Sequence, residues 1–113
     1  MPWQNAIIFE DVVSGNTVDA LTDILTLDTR MVKQVSIGFK NTGAVSCVLR
    51  VTSKTKKGGV LSNIEVNDVT LTAGSTLRYF SSKFLAETII STRSSAAGVP
   101  TTYSVEYVYE KTH

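Results

Sequence analysis

The sequence predicts an all-β fold, a single-domain antiparallel β-sandwich of jelly-roll or immunoglobulin-like type. Three observations carry the prediction. Apolar residues recur at every second position in run after run, the runs are rich in Val, Ile, Thr and Tyr, and each is closed by Gly, Asn, Ser or Pro. Counted along the chain, these give seven or eight short strands at close spacing, the pattern of a sandwich or small jelly roll. With 113 residues, 42% hydrophobic and 19% charged, the chain has the size and composition of one folded domain over 1–113, without repeats or linkers.

Residues 1–5 read as an N-terminal arm, and Trp3 on it lies ahead of the first strand. The segment Thr17 to Thr29 admits either a strand or a short helix behind an Asn16 or Thr17 cap. Thr22, Thr26 and Thr29 beside Leu25 and Leu27 favour the strand, because β-branched residues suit an extended edge. Next, Val35, Ile37 and Phe39 point one way, with Gln34, Ser36 and Lys40 opposite, until Asn41-Thr42-Gly43 stops the run. Val45, Cys47, Leu49 and Val51 alternate with Ser46, Arg50 and Thr52, and the two runs are expected to form a hairpin.

Lys54 to Gly59 is a basic, glycine-rich exposed loop leading to Val60-Leu61 and then Ile64 to Val66. At Asn67-Asp68 the alternation changes phase before Val69 and Leu71, which predicts a tight turn or a bulge. Ala73-Gly74-Ser75 is a further break. Two apolar runs follow, Leu77 to Phe80 and Phe84 to Thr92, and Ser94 to Pro100 is a small-residue loop. In the last strand Tyr103, Val105, Tyr107 and Tyr109 share one face, opposite Ser104, Glu106, Val108 and Glu110.

No catalytic, cofactor or metal site is expected. The one histidine is His113, the final residue, where it cannot be held against a nucleophile, and Cys47 lies on the apolar phase of its strand as a small inert hydrophobe. Zinc needs a cluster of ligands that one Cys and one terminal His do not supply. Asp19, Asp23 and Asp28 lack the loop spacing and glycine of a calcium site, so a solvated acidic edge is expected there. Glu65, Glu87, Glu106 and Glu110 fall on the polar phase of strands, and Glu106 and Arg93 are candidates for a cross-strand pair.

A net charge of +1, mixed along the chain, offers no basic field for nucleic acid. No run of roughly 20 apolar residues is present to span a membrane as a helix, and the start MPWQNAIIFEDVV lacks the basic and long apolar regions of a Sec-type signal. By elimination the chain is expected to be non-enzymatic, with no cofactor or small-molecule substrate, and to work through protein surfaces. The candidates are Trp3, the basic residues Lys54, Lys56 and Lys57, and the aromatic pair Tyr79 and Phe80. Those aromatics also suit a sugar-stacking platform, so a carbohydrate-binding or adhesion module is the alternative.

Ile37 to Gly43, IGFKNTG, resembles a strand-to-turn step common in β-sandwich modules of surface and viral proteins. The wider layout is similar to that of small accessory structural proteins of tailed-phage virions, across VVSGNTVDALTDILTLDTRMVKQVSIGFKNTG, the following strands and LTAGSTLRYFSSKFLAETIISTRSSAAGVPTTYSVEYVYE. This resemblance implies a virion location, a role in capsid decoration or tail assembly, and major capsid or tail subunits as partners. It also implies a homo-oligomer or assembly-bound subunit, with the arm and sheet edges available to neighbours.

Overall fold

The computed structural model describes residues 6–30, 32–81 and 86–112. The proposed arm, with Trp3, lies outside them. Eight strands follow one another: β1 (Ala6–Asn16), β2 (Thr22–Asp28), β3 (Val32–Asn41), β4 (Cys47–Lys54), β5 (Ser62–Leu71), β6 (Thr76–Ser81), β7 (Glu87–Ser94) and β8 (Thr102–Thr112). They form two four-stranded antiparallel sheets, sheet A in the order β1-β8-β3-β6 and sheet B in the order β2-β7-β4-β5. Strands pair as β1 with β8, β2 with β7, β3 with β6 and β4 with β5, as in a long hairpin rolled up around a core. This is the eight-stranded jelly roll, and its strand order is not the immunoglobulin one.

Segment 17–29 resolves as a strand over Thr22–Asp28, as expected. The expected hairpin between the third and fourth strands does not form: β3 pairs with β6 and β8, and β4 with β5 and β7. Both strands do bury the predicted residues. They approach the same core from opposite sheets, because period-two alternation specifies which face is buried and leaves the partner open.

The core is filled from both sheets by Val35, Ile37, Phe39, Tyr103 and Val105 on one side and Leu27, Cys47, Leu49, Val51, Leu71 and Ile90 on the other. Phe39 and Tyr103 stack with ring centroids 5.6 Å apart. Each such side chain contributes about 1.5–3 kcal/mol by leaving water. Burial raises the Cys47 thiol pKa, which keeps the group protonated and unreactive.

Asn41 pins one end of the sandwich. Its side chain is fully buried, with Nδ2 donating to Val45 O at 2.7 Å and Leu71 O at 3.1 Å. Its Oδ1 accepts from Gly43 N at 3.1 Å and Thr101 Oγ1 at 3.0 Å. A Cβ at Gly43 would run into Thr101 and come within 2.8 Å of Thr102 N, so the Asn-Thr-Gly stop is fixed by close approach as well as by turn preference. Beside it Thr101 N donates to Thr17 Oγ1 at 2.9 Å, and Thr17 Oγ1 shares a 2.9 Å bond with Ser94 Oγ.

The phase change at Asn67-Asp68 is a bulge inside β5. The β4–β5 register shifts between Leu49 and Thr52, and Asp68 adopts a left-handed φ of 43°.

Candidate assembly surface

Sheet A turns a four-strand outer face to solvent, and the registers place its side chains in rows. One row runs Glu10, Val108, Ser36, Phe80, and the next Val12, Glu106, Gly38, Arg78. The pleat puts these residues outward because their neighbours Val13, Val105, Phe39 and Leu77 pack on the core. The two central positions on β3 are Ser36 and Gly38, which leave a hollow of about 500 Å³ in the middle of the face. A Cβ built on Gly38 would meet only Glu106 O, at an ordinary contact distance of 3.9 Å, so the hollow has room for a side chain there.

Apolar side chains border it: Val12 is 55% exposed, Phe80 67% and Val108 37%. Ile8, one row further along β1, is 62% exposed. Glu10, Glu106 and Arg78 complete the rim, with the acids on β1 and β8 and the base on β6. Such a face offers apolar contact area and charges of both signs. The inward tyrosines close the floor: Tyr107 and Tyr109 stack at 6.2 Å, and burial raises the Tyr107 pKa, with Asp11 and Tyr109 adding to the shift.

The edges of sheet A are regular. β1 keeps unbroken register with β8 from Ala6–Thr112 to Asn16–Thr102, and β6 keeps it with β3 from Ser81–Val35 to Thr76–Lys40. Both edges of sheet B are blunted. β2 carries a register shift between Asp23 and Leu25, and β5 carries the Asp68 bulge. Asp68 is clamped by Arg50, with Nε–Oδ1 at 2.7 Å and Nη2–Oδ2 at 2.8 Å. Asp28 is held by Arg30 in the same two-pronged way, and both carboxyls are held below the usual range by their guanidinium partners.

Of the residues singled out from sequence, Phe80 stands on the outer face, whereas Tyr79 turns inward and packs against the core. Lys57 lies 3.6 Å from Asp28 and helps tie the loop down, Lys56 is exposed, and Lys54 pairs in register with Glu87. Glu87 departs from the expected wet face: it is buried and accepts the Gly58 amide at 2.9 Å, which anchors the loop beneath it. Beyond that anchor Val60 is 94% exposed. The Glu106–Arg93 pair does not form, since the two residues belong to different sheets. Asp19, Asp23 and Asp28 do not converge; they bind Gly98 N, Ser91 Oγ and Arg30 respectively.

Sequence reasoning missed Ile8, Val12 and Val108. The signal was present in Val12-Val13, an adjacent apolar pair that gives a strand apolar residues on both faces.

No protein-family model matches the sequence, and no curated protein does. Solved structures share the fold. A subunit of Bacillus endospore appendages, which form a family of disulfide-linked pili, superposes with a TM-score of 0.67 at 9% identity, over 96% of this chain and 88% of that chain. PirA gives 0.58 at 12% identity, over 90% of this chain and 93% of that one. VP2 of the infectious bursal disease virus subviral particle gives 0.54 at 14% identity, over 93% of this chain but only 32% of the viral one. At these identities the likeness is one of fold.

Proposed function

We propose that the chain is a non-enzymatic structural subunit that assembles through sheet A, both with its own copies and with neighbouring subunits of a particle or surface appendage. The exposed patch of Ile8, Val12, Phe80 and Val108 carries this reading, because a subunit left alone gains nothing by keeping such side chains in water. Support comes also from the fold's use in a pilus and in a viral capsid protein. The finer reading is an accessory subunit of a tailed-phage virion that decorates the capsid or builds the tail, in contact with major capsid or tail subunits. The pilus subunit, matched over most of its own length, favours an appendage-like polymer as a second form of the same role.

One difference from those pili follows from the sequence. The single cysteine is Cys47, and it is buried, so the proposed contacts are expected to form without a disulfide through it. Light scattering and negative-stain electron microscopy over a range of concentrations, with and without dithiothreitol, test the role. Growth into oligomers or fibres in both conditions supports it. A monomer at every concentration that also fails to co-sediment with purified virions refutes it. The alternative, a glycan module, is favoured by Phe80 beside Arg78 and Glu106 at the hollow. Saturable glycan binding that Phe80→Ala abolishes, without any assembly, would put that reading first.

A further inference from the structure

Resting on that reading, we propose that sheet A continues from one copy into the next, with β6 of one subunit paired antiparallel to β1 of its neighbour. The occupant of each edge is thus a second copy of this chain. Four strands in alternating direction make this arrangement automatic: β6 runs opposite to β1, so a neighbour brought alongside in the same orientation presents β1 antiparallel to β6. Only sheet A has edges fit for it, because bulges and ion-paired aspartates break up β2 and β5.

Side chains select the register. Facing Phe80 with Ile8 sets Arg78 opposite Glu10 and Thr76 opposite Val12, all on the outer face. Phe80 and Ile8, the two most exposed apolar residues among the described ones of sheet A, then cover each other, and Arg78 meets the outward acid Glu10. Moving the register by two residues toward the end of β1 sets Phe80 beside Glu10 and Arg78 beside Val12, which separates both matched pairs. The chosen register offsets each copy by two residues, about 7 Å along the strand. The contact is head-to-tail, so it propagates into a ring or an open filament and does not stop at a dimer.

Complementary charge reversal reads this directly. Arg78→Glu and Glu10→Arg each place like charges across every seam, and each alone is expected to weaken self-association on the order of 10-fold by sedimentation velocity. Mixed together, the two variants alternate with every seam repaired, and the mixture is expected to assemble like the wild type. Cross-linking supplies an independent readout. A chain carrying both Ile8→Cys and Phe80→Cys is expected to form an oxidation ladder of dimers, trimers and longer species, while either single variant forms none. All the altered residues are exposed, and unchanged melting curves check the fold.

Wild-type association with no ladder, or with no rescue in the mixture, overturns the seam and leaves the structural role standing. Dimers from either variant with one added cysteine overturn it in favour of a two-fold contact. A wild type that remains monomeric at every concentration overturns the seam, and the structural role then stands or falls on co-sedimentation with virions.

Discussion

Val48 and Ile89 point away from the core on sheet B and are buried all the same, whereas Val12 and Val108 point away from the core on sheet A and are exposed. The central strands account for the difference. On sheet B, β4 presents Val48, Arg50 and Thr52 outward, and their register partners are Arg93 and Thr70, Ser91, and Ile64 and Ile89 respectively. Val48 and Ile89 are buried among them, while Ile64 on the edge strand stays 46% exposed. On sheet A, β3 presents Ser36 and Gly38, too small to support their neighbours. The edges repeat the contrast, bulged and ion-paired on sheet B and straight on sheet A. One jelly roll therefore carries a finished side and an unfinished one, and the unfinished side is where a partner gains most.

The largest effect is expected where both sheets depend on one residue. Asn41→Ala orphans Val45 O, Leu71 O and the Thr101 hydroxyl, and about 3 kcal/mol of stability should be lost in a urea or thermal melt. The outer faces should then separate cleanly. Ile89→Ala on sheet B is expected to cost about 2 kcal/mol, at the low end for a buried isoleucine, with self-association unchanged below the melting point. Phe80→Ala on sheet A should change stability by less than about 0.5 kcal/mol and still reduce self-association.

Filling the sheet A hollow sharpens the comparison further. Gly38→Val adds a side chain that meets only Glu106 O at ordinary contact distance, so melting curves should be unchanged while the face becomes flatter. The smallest effect is the acid dependence at the edges of sheet B. Asp28 and Asp68 have carboxyl pKa values lowered by their arginine partners, so their contribution is present above the ordinary aspartate range and lost as the pH falls through the folded values. Melting temperature should decline below about pH 4, and Arg50→Gln should make that decline shallower.

Much of this was legible in the sequence, and what was not has a physical reason. The faces were readable: Val35, Ile37 and Phe39, then Cys47, Leu49 and Val51, then Tyr103 and Val105 all reach the core as their alternation predicts. The Asn67-Asp68 bulge was visible as a phase change. Partners were not readable, as the β3–β4 pairing shows, because alternation is the same whichever sheet a strand joins. Glu87 was misplaced because a polar residue on the polar phase gives no hint that a loop amide will fold over it. Of the assembly surface only Phe80 stood out, since the depth of the hollow depends on which strands flank Ser36 and Gly38, and sequence does not give that order.

Hydrogen–deuterium exchange of the wild-type chain, dilute and concentrated, tests the central claim that sheet A is the unfinished side. The account predicts that peptides covering β1 and β6 gain protection with concentration while those covering β2 and β5 stay as they were. Protection gained at the edges of sheet B, with β1 and β6 unchanged, would contradict it.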